Sequence, residues 1–332
     1  MLLVVLGHTM QGCTTGAHQS LLYNIIWSLQ MPLFILISGY LTRYSHPLAS
    51  GSDLWKFIKR RTIAYMLPWI VWSLLVRGVI LGQHSFLNIK WLLWNMDSGY
   101  WFLATIWTIN MLFGISVFYT DKTIKTDNMK KRILFFIFFC FGTSILAGLG
   151  FFIGLSFFAI KLTLYYIPFF LSGYLFGQYQ DDILKTSLGK TIVDFVIAVS
   201  LATWIFIIMR YCIFDLQDSG FTVVLRVITS ISGCVAVCGL CNSIHANRTI
   251  TCTERVIHWF GIHSLEVYLT HYLLLNLLTA TPPPTIESLR GATLILVNFV
   301  LTIVLGAILI QGANSNRLLA FFLFGQFNKH EA

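Results

Sequence analysis

Uncharged apolar stretches recur along this chain, each close to the length that an α-helix needs to cross a bilayer. A spanning helix takes about 20 mostly apolar residues, because its backbone groups must bond to one another where water is absent. Nine such stretches lie at residues 21–41, 63–82, 100–119, 133–150, 162–178, 191–209, 221–243, 256–279 and 292–312. The repetition predicts an all-α, polytopic transmembrane helical bundle.

The composition leaves little room for anything else. Hydrophobic residues make up 57% of the 332 residues and charged residues only 11%, whereas soluble domains carry about 25% charged residues. An apolar surplus of this size must face lipid. The connections between the apolar stretches are loop-sized, so we expect residues 1–332 to form a single transmembrane domain with no soluble domain.

The first ten residues, MLLVVLGHTM, form a shorter apolar run. They carry no basic leading region and no small-residue cleavage site, so they do not match a signal peptide. Seven residues before His8 span about 10 Å at 1.5 Å per residue, against about 30 Å of hydrocarbon. We expect the second half of a truncated first membrane helix here, which brings the total to about ten spans.

Basic residues concentrate in alternate connections, as the positive-inside rule requires of cytoplasmic loops. Most of the 22 Lys and Arg residues lie in one set, which consists of Arg43, Lys56, Lys59, Arg60, Arg61, Lys122, Lys125, Lys130, Lys131, Arg132, Lys185, Lys190, Arg248, Arg255, Arg317 and Lys329. The pattern predicts two cytoplasmic termini and an exterior loop at residues 9–20. It also accounts for the formal charge of +9 without a nucleic-acid partner.

Ionisable residues inside the apolar stretches are candidates for function, because they are costly in lipid. His8 follows an apolar run directly and can act as a general base toward a hydroxyl; the alternative is a histidine bonded to a nearby carbonyl. Glu266 lies between His263 and His271 in GIHSLEVYLTH. This carboxylate can position a base or carry protons, or it can simply tie two helices together.

Cys234, Cys238 and Cys241 have a spacing that also occurs in iron–sulfur proteins. They lie in an apolar stretch together with Gly233 and Gly239, a combination typical of a small-residue face for helix packing. We therefore predict no metal site.

Four sequence segments together resemble the membrane acyltransferase type 3 family. They are QMPLFILISGYL at residues 30–41, GYWFLATIW at 99–107, YYIPFFLSGYLFG at 165–177 and GIHSLEVYLTH at 261–271. Each is short, but the four occur in order across nearly the whole chain. The family includes sugar O-acetyltransferases of the fucose 4-O-acetylase-like kind.

The resemblance implies transfer of an acyl group, commonly from acetyl-CoA, to a hydroxyl of a membrane-associated glycan such as O-antigen or exopolysaccharide. It implies that a first-helix histidine, here His8, is essential, and His8 would act as general base toward an acceptor hydroxyl or relay the acyl group. We also expect a bacterial inner-membrane location and no metal cofactor. Glu266 and His271 are the further catalytic candidates. Trp101 and Tyr268 are expected to line the substrate cavity, together with His271.

The resemblance also implies a donor site on a cytoplasmic basic loop, at Lys59, Arg60 and Arg61, where cations suit the phosphates of CoA. Arg61 fits the first position of the family's paired arginines, but Ala64 occupies the second. Gln30 stands where a histidine often precedes Met-Pro, and an amide cannot act as the base.

A transporter or flippase of lipid-linked glycans is the alternative function, because ten spans with buried polar groups would suit it as well. Such proteins commonly have broken helices in paired halves. No such internal symmetry is visible in this sequence, which favours the acyltransferase.

Overall fold

The structure is a computed structural model that describes residues 1–96, 99–124, 127–245 and 252–326. This part of the chain is all-α, as predicted, and contains no strand. Its helices are α1 (Leu2–Cys13), α2 (Leu21–Leu41), α3 (Gly51–Ile70), α4 (Ile89–Trp94), α5 (Trp101–Thr123), α6 (Asn128–Ile153), α7 (Ile160–Leu184), α8 (Ser187–Arg210), α9 (Gly220–His245), α10 (Cys252–Ile262), α11 (Ser264–Leu274), α12 (Leu289–Asn314) and α13 (Arg317–Phe324).

Eight helices in the described ranges are long and apolar enough to cross a membrane. They are Leu21–Tyr44, Gly51–Ile80, Trp101–Thr123, Met129–Ile153, Phe157–Leu184, Ser187–Arg210, Gly220–Cys241 and Leu289–Asn314. Each one overlaps most of one of the nine longer predicted spans, so the polytopic architecture is confirmed. Leu2–Cys13 is a shorter apolar helix at the position of the predicted N-terminal span.

The remaining predicted span, residues 256–279, is not one helix. It consists of α10 and α11, which are separated at His263, and α11 already ends at Leu274. Asn276 then adopts a left-handed backbone conformation with φ of 56°, and three consecutive prolines follow at 282–284. Asparagine tolerates this conformation and proline cannot continue a helix, so the chain after α11 is irregular.

The predicted exterior loop at residues 9–20 also begins later than expected. Helix α1 continues through Cys13, and the hydroxyl of Thr9 donates to the carbonyl of Val5 at 2.8 Å within it. Thr14 ends the helix with an extended backbone. A threonine hydroxyl can bond to the helix that carries it, which explains why Thr9 does not mark the start of a loop.

The chain folds into two compact units, and the prediction of a single domain stays a prediction. Unit 1 contains residues 1–43 and 168–312, and unit 2 contains residues 44–167 and 313–332. Within unit 1, α2 and α7 cross at two glycines: a Cβ on Gly39 would collide with the carbonyl of Phe170, and a Cβ on Gly173 with that of Leu36. Small residues permit such close approach of membrane helices.

Helices α8 and α9 of unit 1 pack through the glycines near the three cysteines. A Cβ on Gly233 would meet the indole of Trp204 at 2.7 Å, and one on Gly239 would meet Ile197 at 2.5 Å. Cys234 is buried whereas Cys241 is exposed. The arrangement is that of a helix-packing face, in agreement with the interpretation of the sequence.

Unit 2 is built around α3 and α5. The indole nitrogen of Trp107 donates to the hydroxyl of Thr62 at 3.0 Å, and Gly114 lets the ring of Phe57 approach α5 closely. A π-helical segment, Val71–Ile80, continues α3. Hydrogen bonds between helices, such as that of Trp107 with Thr62, stabilise packing where no water competes.

Many apolar side chains lie on the exposed faces of the spanning helices, as a surface in contact with lipid requires. Only 11% of an 18-residue apolar window in Ser187–Arg210 is buried, and 17% of one in Met129–Ile153. Exposed rings such as Phe195 and Phe206 cover these surfaces. In water this surface would be unfavourable, so the chain is a multi-pass membrane protein.

Candidate active site

His8 lies in the middle of α1 and is half-buried in unit 1. Its Nε2 atom lies 3.3 Å from the hydroxyl of Tyr272 on α11. The ring of Trp27 on α2 packs against the imidazole edge-on, with 5.5 Å between the ring centroids. The candidate base on α1 is therefore contacted by the next helix, α2, and by α11, which is far away in sequence.

His271 on α11 is the second imidazole of the site, with its ring centroid 5.4 Å from that of His8. It is 1% exposed, and its Nδ1 lies 2.6 Å from the carbonyl oxygen of Tyr268. A carbonyl only accepts, so Nδ1 carries the proton. Nε2 is buried and has no hydrogen-bond partner among the residues that the structure describes. The lone pair of Nε2 is therefore available to accept a hydrogen bond in the site.

Asn298 on α12 holds the chain that follows α11, although the sequence did not single it out. Its side-chain oxygen accepts from the backbone nitrogen of Leu278 at 2.9 Å, and its nitrogen donates to the carbonyl of Leu278, also at 2.9 Å. The same nitrogen lies 3.4 Å from the sulfur of Cys13 at the end of α1. An unwound segment in a membrane protein needs such partners for its backbone groups.

A second set of contacts ties α1 to this irregular segment. The thiol of Cys13 donates to the side-chain oxygen of Asn276 at 3.0 Å, and the backbone of Thr15 pairs with Pro284 and Ile286 at 3.0 and 3.1 Å. Since α1 carries His8, and α11 carries Tyr272 and His271, these contacts help fix the two elements of the site relative to one another.

Glu266 forms a pair with the residue that caps its own helix, α11. Its Oε1 lies 3.1 Å from Nδ1 of His263, the residue that caps α11, and its side chain is 8% exposed. Glu266 and His271 are five residues apart and thus about 140° apart around the helix. The carboxylate therefore pairs with His263, while His271 faces His8.

Lys59, Arg60 and Arg61 belong to a helix in unit 2, and the prediction of a basic loop is corrected here. The helix begins early because Ser50, which directly precedes Gly51, forms a capping box with Asp53 in the first turn. Lys59 and Arg60 are exposed, and Lys56 precedes them at the helical spacing that makes one face. The exposed basic surface therefore consists of Lys56, Lys59 and Arg60.

Arg61 points elsewhere, since its guanidinium lies 5.4 Å from the ring centroid of Phe57. Trp101 is the first residue of α5 in unit 2, where it stacks on Tyr166 with a centroid distance of 5.3 Å. Tyr268 is 2% exposed and packs beside His271 in unit 1. Tyr268 is thus part of the His8 surroundings, whereas Trp101 is partly buried and packs on Tyr166 in the other unit.

Gln30 on α2 is buried against α1, close to the residue that precedes His8. Its side-chain oxygen has no hydrogen-bond partner among the described residues, and a Cβ on Gly7 would lie 3.2 Å from it. It borders a largely apolar cavity of about 230 Å³, which Phe34 and Phe260 also line. As expected, Gln30 offers an amide and no base.

Tyr272 and Trp27 are the members of the site that the sequence did not single out. Tyrosine and tryptophan are common in apolar stretches, so nothing in their own segments separates them from packing residues. Only their contact with His8, which lies 264 positions from Tyr272, shows their place.

The chemistry available at this site is proton transfer. His8 presents one ring nitrogen to a hydroxyl at hydrogen-bond distance, and His271 presents an unprotonated nitrogen nearby. An imidazole at such a place can take a proton from an attacking hydroxyl and return it to a leaving group.

Comparison with protein families supports this interpretation. The comparisons with curated proteins and with solved structures gave no match. A family model described as an acyltransferase domain matches residues 1–312 of the chain, which includes α1 through nearly all of α12. The chain therefore belongs to the type 3 family of membrane acyltransferases.

Proposed function

We propose that this acyltransferase moves an acetyl or other short acyl group from acyl-CoA to a hydroxyl of a cell-surface glycan, such as O-antigen or exopolysaccharide. The observation that carries the proposal is the position of His8, half-buried between membrane helices with Nε2 at 3.3 Å from a hydroxyl group. Family membership supplies the reaction class.

In the proposed reaction His8 is the general base. Nε2 takes the proton of the acceptor hydroxyl as its oxygen attacks the thioester carbonyl carbon. The new C–O bond forms, the C–S bond breaks, and the departing thiolate of CoA takes the proton back from His8. A positioned base of this kind contributes roughly 10²- to 10⁴-fold to the rate.

Acyl-CoA is proposed as the donor because of the basic face on α3. Lys56, Lys59 and Arg60 lie on one face, and Lys59 and Arg60 are exposed. Cations of this kind bind phosphate oxygens with charge-assisted hydrogen bonds. Arg61 contacts Phe57, so we assign it a smaller role in donor binding than the resemblance implies.

The remaining assignments follow from the same proposal. Glu266 and His263 form a partly buried pair at the start of α11, and we assign Glu266 the role of orienting the helix that carries His271. His271 and Tyr268 border the acceptor hydroxyl, and Trp101 keeps the role in substrate binding that the resemblance implies. We propose that the protein lies in the bacterial inner membrane with both termini in the cytoplasm, so that the α3 face would meet cytoplasmic acyl-CoA.

The experiment follows acetyl-CoA labelled in its acetyl group in membranes that contain the protein, beside membranes that lack it. We expect label in a glycan fraction and its release as acetate by mild alkali, since the product is an O-ester. Label that stays in CoA, while the protein changes only the side of the membrane on which the glycan lies, would contradict the proposal and favour the transporter.

A further inference from the structure

The cavity between α1, α2 and α10 lies next to the candidate base and has no role in the reaction proposed above. Its walls include Leu3 and Val4 on α1 and Gln30 and Leu33 on α2, all of them in unit 1. Val4 precedes His8 by four residues, so the two side chains share one face of α1, about one helical turn or 5.4 Å apart. The cavity therefore comes within about one turn of the base.

Gln30 brings a polar group to this largely apolar cavity. The side chain is buried, at 6% exposure, and its Oε1 has no hydrogen-bond partner among the residues that the structure describes. A buried carbonyl oxygen without a partner is unfavourable, and it can accept a hydrogen bond but not donate one. The cavity thus suits a ligand that carries an N–H or O–H donor within a mainly apolar chain.

The proposed orientation places the cavity on the donor side of His8. With the N-terminal end of α1 toward the cytoplasm, Leu3 and Val4 lie between the cytoplasm and His8. Cytoplasmic acyl-CoA approaches His8 from this side, whereas a cell-surface glycan approaches from the other. A ligand in the cavity therefore belongs to the acyl donor.

The pantetheine arm of acyl-CoA matches the cavity in chemistry and in size. It is a slender chain in which two methylene groups separate the thioester sulfur from an amide N–H. A cavity of about 230 Å³ is smaller than the pockets of about 300–1,000 Å³ that hold drug-sized ligands, so it excludes the nucleotide of CoA but suits such a chain. A lipid acyl chain would cover the apolar walls but offers Gln30 no donor.

Resting on the acyl transfer proposed above, we propose that this cavity binds the pantetheine arm of acyl-CoA and that Oε1 of Gln30 accepts a hydrogen bond from the amide N–H nearest to the sulfur. Gln30 is then a donor-binding residue, which sets the depth at which the thioester carbonyl lies beside His8. The short spacer between sulfur and nitrogen is comparable with the single helical turn between Val4 and His8.

The first test compares labelled acetyl-CoA with an analogue in which an ester replaces the amide nearest to the sulfur. The analogue keeps the length of the arm but has no N–H for Gln30. In wild-type membranes we expect kcat/KM to be about 2- to 12-fold higher for acetyl-CoA, because one hydrogen bond contributes about 0.5–1.5 kcal/mol, at 1.4 kcal/mol per factor of ten. Gln30→Met keeps the length of the side chain without its amide, so we expect this variant to use both donors equally well.

The preference between the two donors separates binding from a structural role. If Gln30 served packing alone, Gln30→Met would lower the rates with both donors and leave their ratio as in wild type. That result, or equal kcat/KM for the two donors in wild type, would overturn the hydrogen bond to Gln30.

Filling the cavity tests its occupancy independently of Gln30. Leu33→Trp places a large ring at the cavity wall, and we expect the KM for acetyl-CoA to rise about tenfold or more while the KM for the glycan changes little. Leu41→Trp is the matched control, because Leu41 is the last residue of the same helix and is 52% exposed. An unchanged KM for acetyl-CoA in Leu33→Trp would indicate a cavity filled by lipid and would overturn the proposal.

The two proposals fail in distinguishable ways. Active wild type that shows no preference for acetyl-CoA over the ester analogue overturns the role of Gln30 alone. Wild-type membranes that transfer no label from acetyl-CoA overturn the acyl-CoA reaction, and the inference with it.

Discussion

Replacing Asn298 with leucine tests how the irregular segment after α11 is held. The amide accepts from the nitrogen and donates to the oxygen of Leu278, both at 2.9 Å. Leucine leaves both backbone groups without these bonds. Each unsatisfied group costs about 1–3 kcal/mol, or about 2–6 kcal/mol for the two; we expect the lower end, since both bonds are only partly buried.

Hydrogen exchange at the Leu278 amide, followed by mass spectrometry in detergent, measures this loss directly. A cost of about 2 kcal/mol corresponds to exchange about 30-fold faster, at 1.4 kcal/mol per factor of ten. Asn110→Leu is the control, because Asn110 is 3% exposed and donates to the carbonyl of Ile106 in its own helix. Unchanged protection of Leu278 in Asn298→Leu would refute the reasoning.

Two further predictions concern packing and donor binding. Gly173→Ala at the α2–α7 crossing should cost about 1–3 kcal/mol of stability through overpacking and lower the folded yield. Gly148→Ala is the control, because a Cβ there meets no neighbouring atom within 4 Å. Equal yields of the two variants would contradict the close α2–α7 crossing. Replacing Lys59 and Arg60 with Glu should raise the KM for acetyl-CoA more than the KM for the glycan. Lys130→Glu is the control and should not have this effect. Equal effects on both substrates would contradict a donor site on α3.

The membrane spans were predictable because lipid imposes a simple rule on sequence. A stretch such as residues 191–209 contains little besides apolar side chains, and the structure places Ser187–Arg210 there as a helix. No tertiary contact is needed for that inference, since a span satisfies its backbone internally.

The break at His263 was not predictable in the same way. Residues 256–279 are apolar enough for one span, but α11 begins afresh at Ser264, and His263 pairs there with Glu266. The irregular chain beyond Leu274 is stabilised by Asn298, a residue on another helix. The length of an apolar stretch gives no information about a hydrogen-bond partner that lies 20 positions further along the chain.

Some residues of the candidate site could likewise be predicted from the sequence, and others could not. His8 and His271 stood out because ionisable groups are rare in membrane helices, and the structure brings them together. Tyr272 did not stand out, since its type is ordinary in such a helix. The start of α3 was missed because the charged residues around Asp53 suggest a loop, although Ser50 and Asp53 form a helix cap.

The most direct test of the central claim is acetyl transfer by His8→Ala. Membranes with matched amounts of wild type, His8→Ala and His18→Ala are given labelled acetyl-CoA, and alkali-labile label in the glycan fraction is counted. His18 is exposed on the loop that follows α1 and serves as the control. The account predicts that His8→Ala falls to the level of membranes without the protein while His18→Ala keeps its rate. Transfer by His8→Ala at the wild-type rate would contradict the account.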